Sequence, residues 1–332
     1  MAKSFEPRLV ELLAPAKDLA TGQAAILHGA DAVYIGAPSF GARASAGVSI
    51  EDIGRLACFA RLYRAKVYVA LNTILYDDEL PEAERIAWEL YRAGADALIV
   101  QDMSLCRLNL PPIALHASTQ CDIRTVEKVR MFESLGYEQV VLARELSLPE
   151  IRKIADSTSV VLEAFVHGAL CVSLSGQCYL SEALTRRSAN RGACAQLCRL
   201  PYTMIDADGK VIRSNQHLLS LKDLNRSAEL ESMLEAGISS FKIEGRLKGI
   251  SYVKNVTAHY RRLLDELISR YPERYCRASS GRCTFAFHPA PEKSFNRGFT
   301  DYFLHGRTPD ITSFDTPKSI GEPLGRASAN RG

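Results

Sequence analysis

Eight short apolar runs, separated by amphipathic segments, recur through the first 250 residues and leave few folds open to this chain. They are LVELLA from Leu9, AVYIGA from Ala32, KVYVALN from Lys66, ALIVQD from Ala97, IALHAST from Ile113, QVVLARE from Gln139, VVLEAFVHG from Val160 and SSFKIEGR from Ser239. Rich in Val, Ile and aromatics and nearly continuous in apolar character, they have the pattern of parallel strands covered on both faces. The segments between them, such as IEDIGRLACFARLYRA and DELPEAERIAWELYRAGA, place apolar residues near a 3.6-residue period. Several stop at a glycine just before the next run, in LHGADAVY, RAGADALIV, SLGYEQVVL and EAGISSFKI, as a helix end leading into a strand should. Eight such units are the count of a (β/α)8 barrel, so the expected fold class is α/β with a TIM-like barrel. A doubly wound open sheet is the alternative, and no GxGxxG follows the first run to support it.

The regularity breaks between the seventh and eighth runs. A cysteine-rich segment stands there, followed by YTMIDADGKVIRS, an Asp-Gly hairpin signal between two strand-like runs. An insertion at the C-terminal end of a barrel strand lies on the face where barrels keep their chemistry. After the helical segment SYVKNVTAHYRRLLDELISR the composition turns to FNRGFTDYF and scattered prolines, and the closing SANRG duplicates residues 188–192. The expected organisation is a barrel domain over residues 1–275, including a cysteine-rich insertion at 168–215, and a truncated C-terminal extension over 276–332. The chain of 332 residues is 47% apolar and 24% charged, ordinary globular values. Its first residues contain no apolar stretch of signal-peptide length. No run approaches the roughly 18 apolar residues of a membrane span. A cytoplasmic protein is therefore expected, with its thiols reduced.

Under that expectation the nine cysteines read as metal-binding or redox groups rather than disulfides. Four of them, Cys171, Cys178, Cys194 and Cys198, follow the spacing C-x6-C-x15-C-x3-C. Structural zinc sites favour two close pairs, and only one short pair is present. Iron–sulfur clusters take four cysteines at variable spacing. Spacing thus leaves a cluster, zinc, or unrelated buried and redox cysteines open. Cys58, on an apolar helix, is expected in the core. No CxxxCxxC triplet marks radical S-adenosylmethionine chemistry. Arg186, Arg187, Arg191 and Arg199 lie within fourteen residues free of acids. That patch suits RNA phosphates, although a solvated loop face is the commoner explanation.

The strand ends supply a second constellation that a barrel would bring to one mouth: Asn72, Gln101, Asp102, His116, Ser118, Gln120, Arg144, Glu145, Glu163, Phe165, His167, Lys242, Glu244 and Arg246. In KIEGR, Lys242, Glu244 and Arg246 alternate with period two and should face the mouth together. Arg144 and Arg246 suit bidentate carboxylate or phosphate binding. With Lys242, Gln120 and Asn72 they form the expected substrate site. Glu163, Glu145 and Glu244 are acid/base candidates, with ion pairing as the plainer role for all three, and His167 reads either as a base or as a strand-end histidine satisfied by a carbonyl. Protease signals are missing, since neither HExxH nor GxSxG occurs.

EAFVHGALCVSLSGQCYLS, ELLAPA, GADAVYIGA, LARELSL, NRGACAQLCRLPY and FKIEGRLKGISYV together resemble peptidase family U32, the collagenase-like proteases, from about residue 9 to residue 325. NRGACAQLCRLPY is most similar to the branch that hydroxylates cytidine in large-subunit ribosomal RNA. Other members hydroxylate a transfer-RNA uridine or take part in ubiquinone hydroxylation. The resemblance implies a barrel-like fold and a [4Fe–4S] cluster held by Cys171, Cys178, Cys194 and Cys198, with zinc as the alternative. It also implies prephenate as oxygen source, a dicarboxylate that the mouth arginines could bind. The expected function is an iron–sulfur RNA hydroxylase forming 5-hydroxycytidine. A collagenase-like hydrolase, or a non-catalytic partner in transfer-RNA or ubiquinone hydroxylation, is the alternative.

Overall fold

The computed structural model describes residues 6–43, 47–316 and 318–320. The closing SANRG and the end of the family resemblance lie outside them. All eight apolar runs form strands: β1 (Arg8–Pro15), β2 (Ala32–Gly36), β3 (Lys66–Leu71), β4 (Ala97–Val100), β5 (Ala114–Ala117), β6 (Gln139–Val141), β7 (Val161–Gly168) and, after the insertion, β11 (Ser240–Ile243). Each pairs in parallel with the next, and β11 pairs in parallel with both β7 and β1, which closes an eight-stranded barrel.

The outer shell consists of α1 (Leu19–Leu27), α2 (Ile50–Arg61), α3 (Leu80–Ala93), α4 (Val126–Ser134), α5 (Leu148–Ala155), α7 (Leu230–Glu235) and α8 (Ile250–Arg270). Side-chain caps start them where the sequence offers Asp18, Ser49 and Thr125, each accepting from a first-turn backbone N–H. The four glycine stops all take left-handed backbone, with φ of 100° at Gly29, 91° at Gly94, 84° at Gly136 and 106° at Gly237. One unit departs from the regular alternation. Between β4 and β5 only a short 3-10 stretch forms at Met103–Arg107, because the connection is brief and meets Pro111 and Pro112. Cys58 is exposed on α2 rather than in the core. The helix buries Ile53, Leu56, Ala57 and Ala60, and Cys58 falls off that stripe.

The insertion carries α6 (Leu180–Thr185) and the expected hairpin, β8 (Tyr202–Ile205) with β9 (Val211–Gln216), turning at Gly209. It returns through β10 (Asp223–Asn225), antiparallel to β7. Beyond α8, β12 (Tyr275–Arg277) pairs with β1 and β13 (Phe299–Thr300) with β10. Asp31, buried, receives Arg261 of α8 at 3.0 Å and Arg277 of β12 at 2.8 Å, tying helix and tail to the barrel wall. Inside the barrel, Leu13, Tyr34, Tyr68, Ala97 and Ile99 pack together. Polar side chains fill the rest, with Tyr68 and Ser240 donating to Glu11. Among the described residues no helix is long and apolar enough to cross a membrane.

Candidate functional site

The C-terminal mouth of the barrel opens into a cavity of about 60 Å³ walled by Tyr34, Arg43, Asn72, Gln120, Arg144, Phe165, Lys242, Glu244 and Arg246, among others. Lys242, Glu244 and Arg246 share the wall, as their alternation requires. Asn72 links two loops, accepting from Ala42 N–H and donating to Ser118 Oγ, each at 3.0 Å. Arg144 lies 3.9 Å over the Phe165 ring, which fixes the plane of its guanidinium against the cavity. Beneath the floor, Lys242 Nζ meets Glu163 at 2.7 Å, and Gln139 donates to the same carboxylate at 2.6 Å.

Charge is unbalanced here. Arg43, Arg144, Lys242 and Arg246 line the cavity, and among the described residues their carboxylate partners are Glu244 in the wall and Glu163 below it. Among the described residues, two of these positive charges therefore lack a carboxylate partner in the mouth. Arg246 is buried, and among the described residues its Nε and Nη1 have no hydrogen-bond partner. Burial lowers its pKa. For Glu244, burial works against ionisation, but Arg43, Arg144 and Arg246 outweigh it and hold the carboxyl below its usual range. Such a cavity favours a small anion.

The thiol segment is pressed against this mouth. Gly176, at φ +75°, lies so close that a Cβ would sit 2.0 Å from the Gln120 carbonyl oxygen. Glu145 accepts from the Ser175 hydroxyl at 2.9 Å and so holds the same loop. Cys171 and Cys178 share a hydrogen bond that holds Cys178 down to about 5 and pushes Cys171 up. Gln196 N–H donates to Cys194 Sγ at 3.4 Å. Burial raises Cys198, which also feels Cys194 and Cys178. Burial opposes the charge on Arg43, yet Glu244 and then Cys194, Tyr34 and Cys171 outweigh it. All four cysteines are free thiols. Among the described residues no three Cys, His, Asp or Glu side chains are gathered closely enough to hold a metal ion. In donor chemistry the set suits a thiolate-held group: four reduced sulfurs in one segment, an N–H donor to sulfur, and arginines beside them.

Peptidase family U32 matches this chain over residues 17–313. The chain belongs to that family. It is 57% identical over 95% of its length to the 23S rRNA 5-hydroxycytidine C2501 synthase of Escherichia coli, covering 48% of that protein. Against the tRNA hydroxylation protein P1 of Bacillus subtilis the identity is 37% over 77% of the chain and 63% of the relative. The Collagenase of Porphyromonas gingivalis is 33% identical over 91% of the chain and 75% of the relative. The chain thus spans about half the length of the first relative and under two thirds of the second.

Other sequence-predicted residues of this family member lie elsewhere. His167 does not face the mouth. The β7–β11 register shifts between Lys242 and Ile243, so alternation from Phe165 no longer brings His167 inward. It is buried among Tyr252, Tyr260 and Phe299 instead, with its pKa lowered to about 3 by burial. Arg199 is a strut that donates to Leu170 O at 2.6 Å and Leu221 O at 3.2 Å. Arg191 forms a bidentate pair with Glu79, at 2.6 and 2.9 Å, and lies 4.1 Å over Tyr76. Arg186 and Arg187 are exposed at the end of α6. Tyr34 and Arg43 are wall residues that the strand-end scan missed. Tyr34 alternates with Val33 and Ile35 and could have been found by period two, whereas Arg43 sits on a loop without periodic signal.

Proposed function

We propose that this chain is the catalytic barrel of an RNA hydroxylase that converts a cytidine of large-subunit ribosomal RNA to 5-hydroxycytidine. The observation that carries the proposal is the 57% identity, over nearly the whole chain, to the E. coli enzyme of that name. The cationic mouth supports it, because replacing C5–H by C5–OH requires an oxygen donor, and the two uncompensated charges suit a dianion. Arg246 and Arg144 would hold the carboxylates of that donor, prephenate by family resemblance; its C–O bond would break as the C5–O bond forms, the donor taking up the two electrons and the displaced proton. Asn72 and Gln120 order the wall. Arg186 and Arg187 remain for backbone phosphates. Cys171, Cys178, Cys194 and Cys198 would hold a [4Fe–4S] cluster, or zinc, and a cluster would supply redox chemistry beside the donor. The name of the P. gingivalis relative favours hydrolysis as a second activity, yet among the described residues no histidine lines the mouth to serve a nucleophile.

Anaerobic purification with iron, sulfide and zinc analysis, followed by RNA nucleoside mass spectrometry with added prephenate, tests this function. About four irons and four sulfides, with 5-hydroxycytidine formed by the wild type and not by Cys194→Ser, are expected. Stoichiometric zinc and peptide release from gelatin would replace the proposal with the hydrolase.

A further inference from the structure

A second cavity, of about 250 Å³, adjoins the mouth and is lined by Ala37, Pro38, Ser39, Phe40, Gly41, Arg43, Thr73, Glu79 and Arg191. Arg43 belongs to the walls of both cavities, so they adjoin at the stretch from Gly41 to Arg43. By the same measure the outer cavity is about four times the inner one. The two differ in chemistry as well as size. The inner wall presents uncompensated cations, whereas the outer one combines an aromatic ring, a carboxylate, hydroxyls and an arginine already paired with Glu79.

The outer wall is built under strain. Phe40 has φ +61°, a left-handed conformation uncommon for a bulky residue. It is held there because Thr73 donates to its carbonyl from both backbone N–H and Oγ1, each at 3.1 Å. Across the cavity, Arg191 brings the thiol-bearing insertion to the rim and pins Glu79. That carboxylate stays ionised, its pKa lowered first by the hydrogen bond from Arg191. A flat ring with an exocyclic amine matches this set, with Phe40 for the face and Glu79 as acceptor for the amine.

We infer that the outer cavity is the subsite for one unstacked pyrimidine nucleotide of the RNA, adjoining at Arg43 the inner cavity that holds the anion. This rests on the hydroxylase function proposed above. It goes beyond that proposal by dividing the site into two compartments that can be disabled separately.

Ser39 is exposed on the outer wall and does not line the inner cavity, so Ser39→Trp fills the outer compartment alone. The expected result is an increase of about tenfold or more in KM for unmodified ribosomal RNA, the scale of a lost base-stacking contact. KM for prephenate and the melting temperature should not change. Glu79→Gln, which keeps the shape, should weaken use of the RNA while leaving thermal protection by prephenate intact. A fragment carrying 5-iodocytidine at the position equivalent to C2501 should photo-crosslink to residues 37–43 or 73–79 of the wild-type protein. Hydroxylation by the wild type with normal RNA kinetics in Ser39→Trp would overturn the subsite and leave the hydroxylase standing. A crosslink at these residues without any hydroxylation would retain the subsite and overturn the reaction. Neither crosslink nor hydroxylation would reject both.

Discussion

Lys242 and Glu163 form an ion pair inside the barrel at 2.7 Å, with side chains only 5% and 0% exposed. Lys242→Met keeps most of the side-chain volume but leaves the Glu163 carboxylate with Gln139 as its remaining polar partner. Stranding a buried charge in this way costs about 3–5 kcal/mol. Against a total stability of about 5–15 kcal/mol for a natural domain, that is a large share. Lys242→Met/Glu163→Gln removes both charges and retains a hydrogen-bonding side chain beside Gln139. It should therefore lose at least about 2 kcal/mol less than Lys242→Met alone. Equilibrium urea unfolding, followed by far-UV circular dichroism and by the fluorescence of Trp88, the chain's single tryptophan, reads both numbers if the transitions coincide and the slope is unchanged. A loss under about 1 kcal/mol for Lys242→Met, or a double variant as unstable as the single one, would refute the buried-pair argument.

Burial raises the pKa of Glu11 above its ordinary 4.5, against hydrogen bonds from Ser240 and Tyr68 that lower it. The folded state therefore holds this proton more tightly than the unfolded one, and the stabilisation is full below 4.5 and is lost as pH rises through the folded value. Glu11→Gln should accordingly gain on the wild type between pH 4 and pH 8 in urea titrations; a difference independent of pH would contradict this. Arg246→Met removes a buried cation with unpartnered nitrogens, so its melting temperature should be no lower than that of the wild type while thermal protection by prephenate disappears. Retained protection would show that the anion binds elsewhere. His167→Phe should leave the hydroxylation rate unchanged, because the ring stands in an aromatic box behind the wall, and a large fall in kcat with normal folding would return it to the chemistry.

Local chemistry explains why much of the architecture was legible in residue order alone. Most barrel strands are apolar runs that carry Val or Ile, and each glycine stop needs a left-handed backbone that other residues resist. Asp18, Ser49 and Thr125 mark helix starts in the same local way. The alternation in KIEGR placed Lys242, Glu244 and Arg246 on one wall, because strand geometry has period two over short distances. The β4–β5 connection shows the limit, since helix or 3-10 stretch there depends on how few residues must span the gap.

Tertiary structure decided what period and spacing could not. A register shift between β7 and β11 turned His167 away from the mouth, and no feature of VVLEAFVHG announces it. Arg191 and Arg199 look like Arg186 and Arg187 in sequence, yet Glu79 lies 112 residues from Arg191 and the Leu221 carbonyl 22 residues from Arg199. Arg43 became a mouth residue only because the loop after β2 folds back over the ends of β3 and β11. Sequence by itself determined the barrel, since strand, helix and turn preferences act between near neighbours. Which side chains remain free to meet a ligand was decided by the closed fold, because charge compensation and burial depend on groups that meet only when distant segments pack.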